Sequence, residues 1–223
     1  MSRANTEIKF IRSSTNYHPM HDGMHCGMPT VSIKLSSSDS NSMKVNSMKK
    51  LFDKYKWSQK INSGFARLRI YGNDPFADEH LNSLDFTFDV LDPRFVDFHV
   101  KEKYLDKMPS RILQNKADTY TLEFNVDGPM DLHSDVIDSL SRQGKKQGNV
   151  QYFMNLSSDK YEQDIKNFQN DYRIYDSDIW LIPKGRKIDS VSESYDKIVQ
   201  MAKRNSWNLS PRMDIIADYE YDA

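Results

Sequence analysis

The stretch Gly23–Val45, GMHCGMPTVSIKLSSSDSNSMKV, decides the fold. Thr30, Val31, Ile33 and Leu35 form a β-rich run with polar Ser32 and Lys34 between them, which predicts a strand over 30–35. The loop that follows, Ser36 to Ser42, holds only Ser, Asp and Asn. Behind it Val45, Met48, Leu51, Phe52 and Tyr55 recur at helical spacing and predict a helix over 43–57. Strand, loop and helix in that order make a β/α unit. The loop at the carboxyl end of such a strand is where α/β folds usually place their chemistry.

Working outward, TEIKFIR at 6–12 predicts a short strand, and the Ser-, Asn-, Pro- and Gly-containing run after it a loop. FARLRIY at 65–71 predicts a second strand, stopped by the turn residues Gly72-Asn73-Asp74-Pro75. A short helix is expected at 77–84, strands at 86–91 and 95–100, and a helical turn at 108–116. Leu122, Phe124 and Val126 alternate on one face of a strand over 120–126, and Asp127-Gly128-Pro129 ends it. Leu132, Val136, Ile137 and Leu140 mark an amphipathic helix. A strand at 150–154 follows, and Ser157-Ser158-Asp159 reads as the N-cap of a helix running to 170. DIWLI at 178–182 is a buried strand. Val191, Tyr195, Ile198, Val199 and Ala202 give the face of a long helix over 188–204, and a last strand spans 208–216. Strands alternating with helices imply a mainly parallel sheet with crossover helices. About six such units suit a partial (β/α) barrel better than a closed barrel of eight. The expected organisation is one domain over 1–223, with 1–29 as N-terminal strand and loop and 217–223 as a loose tail.

Composition narrows the function. Thirty-one basic against thirty-two acidic residues leave a net charge of −1, so no electrostatic footprint for a nucleic-acid backbone is indicated. A single cysteine excludes an internal disulfide framework and fits a reducing cytoplasm. It also excludes a three-cysteine iron–sulfur site supplied by one chain. The first residues, MSRANTEIKF, lack the apolar core of a signal peptide, and no run has transmembrane length.

Several groups of residues carry candidate chemistry. His18, His21, His25 and Cys26 place three of the six histidines and the only cysteine within nine residues, and imidazole and thiolate are the usual ligands of zinc. Their spacing matches no standard zinc finger, and a polar His-rich loop is the competing reading. Asp74 and Pro75 follow one strand, Asp127 a second, and Lys184 a third. Ser210 and Arg212 lie close to the last strand. Polar and basic groups at strand ends suit a carboxylate or phosphate, with a solvated turn as the plainer alternative. No Ser-His-Asp or Cys-His arrangement can be assigned from residue order.

Taken together these places resemble one family. Gly27-x-Pro29 leads into VSIKL, G-N-D-P follows the next strand, EFNVDGP precedes a helix, DIWLIPKGR precedes a long helix, and WNLSPRMDI comes last. This order resembles the 7-carboxy-7-deazaguanine synthase family of radical SAM enzymes, from Glu7 to about Ile216. Those enzymes contract a tetrahydropterin ring to make a precursor of queuosine and related bases. The resemblance implies a radical SAM type of partial barrel, and a ligand pocket drawn from His25, Gly27, Gly72, Asp74, Pro75, Asp127, Lys184, Ser210 and Arg212. It also implies a homodimer. The family holds a [4Fe–4S] cluster on three cysteines in the loop after the first barrel strand. Here that loop has Ser38 and Ser42 near those positions and no cysteine.

The expectation is therefore a cluster-less pseudoenzyme without a [4Fe–4S] cluster or other required cofactor. It would act by binding a protein partner and retain a pterin- or deazaguanine-like pocket. Two alternatives stand beside it. One is a residual enzyme of the 7-deazaguanine (queuosine precursor) pathway, which would bind a pterin or S-adenosylmethionine. The other is a zinc-binding protein using the loop from His18 to Cys26.

Overall fold

Alternating short strands and amphipathic helices build an α/β fold with a mostly parallel sheet. The computed structural model describes residues 8–9, 30–35, 45–54, 56–72, 84, 87–107, 117–128, 135–137, 149–185 and 188–209. They fall into two compact units, one of residues 1–100 and 104–120, the other of 101–103 and 121–223.

In the first unit the strands follow chain order: β1 (Ile8–Lys9), β2 (Thr30–Leu35), β3 (Arg67–Gly72) and β4 (Val96–Lys101). β1 runs antiparallel to β2, while β2, β3 and β4 are parallel, with Ile33 opposite Ile70 and Ile70 opposite Phe98. The period of two puts Val31, Ile33, Leu68, Ile70, Val96 and Phe98 in the core.

The single helix expected over 43–57 is two, α1 (Val45–Lys54) and α2 (Trp57–Asn62). Lys56, at φ 59°, is left-handed and breaks the run. The break sets the Trp57 ring edge-on to Phe52 at 5.6 Å, so two large apolar side chains are buried where a continuous helix would splay them. α2 ends with the Ser63 N–H on Gln59 O and the Gly64 N–H on Ile61 O. Gly64 has φ +81°, and a Cβ there would lie 2.7 Å from Arg94 Cδ.

The strand expected at 86–91 is instead helical from 87 to 91. Leu84, Thr87, Phe88 and Leu91 are buried, a spacing of three and four, and Phe88 meets Phe98 edge-on at 6.2 Å. The run LDFTFDVL satisfies both periods, and packing onto β4 selects the helical one.

β5 (Thr119–Asn125) begins in the first unit and enters the second at Thr121. The second unit continues in chain order with β6 (Asn149–Leu156), β7 (Ile179–Pro183) and β8 (Asn208–Leu209). β6, β7 and β8 are parallel, Phe153 lying opposite Trp180 and Trp180 opposite Asn208. Ser158 caps a 3-10 turn over Asp159–Tyr161, its side chain accepting from the Lys160 N–H, and α3 (Glu162–Tyr172) follows. α3 buries Ile165 and Phe168, and the Phe168 ring sits 5.2 Å from Phe124 and 5.7 Å from Tyr152.

The long helix expected over 188–204 is α4 (Ile188–Asn205). It buries Ile198, Met201 and Ala202, with Met201 in the place assigned from sequence to Val199, which is half-buried. Of the expected helix at 132–140, residues 135–137 are helical. The helical turn at 108–116 and the last strand beyond Leu209 lie outside the described residues.

Candidate functional site

In the second unit β5 and β6 carry apolar side chains on one face and mostly polar ones on the other, while β7 is apolar and buried throughout. In β5, Leu122 and Phe124 alternate with Thr121, Glu123 and Asn125. In β6, Tyr152, Met154 and Leu156 alternate with Gln151, Phe153 and Asn155. The apolar set meets α3 through Phe168. On the other face Thr121 and Gln151 are buried, Glu123 and Asn155 are half-buried, and Asn125 at the end of β5 is exposed. Asn155 Nδ2 donates to Glu123 Oε1 at 2.9 Å, and Gln151 Nε2 donates to Asp178 Oδ1 at 3.3 Å.

At the carboxyl ends of β5, β6 and β7 this polar face ends in a connected cluster. Lys184 Nζ donates to Asp127 Oδ2 at 2.9 Å and also to Asn125 Oδ1. Asp127 Oδ1 accepts from the Ser157 backbone N–H at 3.0 Å, and the Tyr161 hydroxyl donates to Asp127 O at 3.5 Å. Two backbone bonds extend the ladder past the strands and hold these loops together: Val126 N–H to Asn155 O at 3.0 Å and Lys184 N–H to Leu156 O at 2.9 Å. Burial pushes the Asp127 carboxyl up, but the bonds from Lys184 and Ser157 outweigh it and hold the group below the usual carboxylate range.

The Lys184 ammonium has three N–H donors, and Asn125 and Asp127 take two. The side chains of Lys184 and Asp127 remain 35% and 19% exposed, so the third donor is within reach of a ligand. The Asp127 carboxylate, held by Lys184 and by both the backbone N–H and the side chain of Ser157, has about four acceptor positions and so keeps a lone pair for a ligand. The cluster can therefore both give and receive hydrogen bonds at the carboxyl edge of a parallel sheet, where α/β folds hold ligands.

The first unit has a comparable polar face. Arg67, Arg69 and Asp97 are buried, and Arg69 Nε donates to Asp97 Oδ2 at 2.5 Å. One layer toward the carboxyl end, Tyr71 stands opposite His99 across β3 and β4. Burial pushes the Tyr71 phenol up to about 12, so it stays a hydrogen-bond donor. Asp118 accepts from the Val96 N–H at 2.8 Å, and burial nonetheless pushes its carboxyl up.

Of the residues singled out from sequence, Asp127 and Lys184 are brought into direct contact. Gly72 closes β3 opposite Leu35. His18, His21, His25, Cys26, Gly27, Ser38, Ser42, Asp74, Pro75, Ser210 and Arg212 lie outside the described residues. Among the described residues no group of three or more His, Cys, Asp or Glu side chains is placed to hold a metal ion. No described helix is long and apolar enough to cross a membrane. Asn125 and Ser157 belong to the cluster but were not among the expected pocket residues. The off-phase polar residues of TYTLEFN are the signal that marks Asn125. Ser157 contributes both its backbone N–H and its side chain to Asp127, and its place in the Ser157-Ser158-Asp159 run was read only as a helix cap.

No protein-family model matches this chain, and no curated protein matches it.

The donor set also bears on an iron–sulfur cluster. A [4Fe–4S] site built on three thiolates needs three cysteines, and this chain has one. The residues present do not fit that group.

Proposed function

We propose that this protein is a cluster-less relative of the 7-carboxy-7-deazaguanine synthases, with a partial barrel of radical SAM type, working in the cytoplasm by binding rather than by radical chemistry. The observation that carries this reading is the Asn125–Asp127–Lys184 cluster. EFNVDGP and DIWLIPKGR are two of the segments on which the family resemblance rests, and their polar residues meet at the carboxyl edge of the parallel strands. A ligand there would accept from the third Lys184 N–H and donate to an Asp127 oxygen. A flat polar heterocycle such as a reduced pterin or a deazaguanine has both kinds of group. A homodimer and a protein partner belong to the same proposal, the bound ligand favouring the form that the partner reads.

Two measurements test it. Anaerobic iron–sulfur reconstitution should leave the protein without stoichiometric iron, and about four irons per chain would overturn the cluster-less reading. Calorimetric titration with tetrahydrobiopterin and, separately, with S-adenosylmethionine should give saturable binding of one of them. Lys184→Met should weaken it by at least about tenfold, in line with the loss of a charge-assisted hydrogen bond. Binding of neither compound, or equal affinity in Lys184→Met, would overturn the ligand assignment.

A further inference from the structure

We draw no further inference here: the strongest candidate, the buried Gln151 Oε1 and Trp180 Nε1 on one face of β6 and β7, neither with a hydrogen-bond partner, carries nothing because each atom exposes less than 1 Å² and nothing in the structure shows what would reach it.

Discussion

Lys184 Nζ lies 2.9 Å from Asp127 Oδ2 and joins residues 57 positions apart in the chain. Each sits just beyond the end of a strand, and Asp127 is in turn fixed by the Ser157 N–H. The pair is partly exposed, so its worth to folding is small, about 1 kcal/mol or less. Lys184→Met and Asp127→Asn should therefore each move the unfolding midpoint only slightly while ligand binding falls. A loss of several kcal/mol in chemical denaturation would mark the pair as structural instead.

Acid should weaken a different contact. Glu162, at the start of α3, accepts from Lys166, Arg204 and Asn205. The bonds from Asn205, Arg204 and Lys166 hold its carboxyl down at about 2, against an ordinary value of 4.5. A folded-state value below the unfolded one adds stability that is fully present above the unfolded value. That contribution is lost as pH falls from about 4.5 towards 2. Glu162→Gln should flatten this part of the stability–pH curve, and should cost about 1 kcal/mol at neutral pH. Denaturant midpoints taken at intervals from pH 6 to pH 2 check it, and an unchanged slope in the variant would refute the assignment.

The buried pair Arg69–Asp97 should behave differently from these surface contacts, because neither charge has solvent to fall back on. Replacing one partner, as in Asp97→Leu or Arg69→Met, leaves the other charge buried without this ion pair, at a cost of about 3–5 kcal/mol. The double variant Arg69→Met with Asp97→Leu should recover most of that loss. A double-mutant cycle by urea unfolding measures the coupling, and simple additivity of the two single variants would contradict it.

Gly64→Ala tests the turn between α2 and β3. The residue has φ +81°, and a Cβ would meet Arg94 Cδ at 2.7 Å and Phe95 Cε2 at 2.9 Å. The left-handed conformation alone costs a residue with a side chain about 1–2 kcal/mol. Arg94 can swing aside but the Phe95 ring has less freedom, so a loss of about 2 kcal/mol is expected by thermal unfolding. Adding Arg94→Ala should return only part of it, and full recovery would place all the strain on Arg94.

Phe168→Ala should be among the more costly core changes in the second unit. Its ring contacts Phe124, Tyr152 and Tyr172 at 5.2, 5.7 and 5.1 Å. Removing it opens a cavity under the sheet worth about 3–5 kcal/mol. Near-ultraviolet dichroism and denaturant unfolding together separate a loosened core from an intact one.

The period of two in TVSIKL, the period of 3.6 after Ile188 and the N-cap at Ser158 were enough to place strands and helices in a mainly parallel α/β fold. These are local signals, set by which side chains can share one face of an element. The candidate residues Asp127 and Lys184 were legible for the same reason, since Gly-Pro and Pro-Lys-Gly mark strand ends. Local pattern did not decide between strand and helix for LDFTFDVL, where both periods fit and only the ring of Phe98 selects one. Nor did it show the break at Lys56, which pays for a left-handed residue by burying Trp57 against Phe52. The contact between Asp127 and Lys184, and that between Arg69 and Asp97, exist only in the folded chain. Each depends on strand register, and register depends on how all the buried faces fit at once.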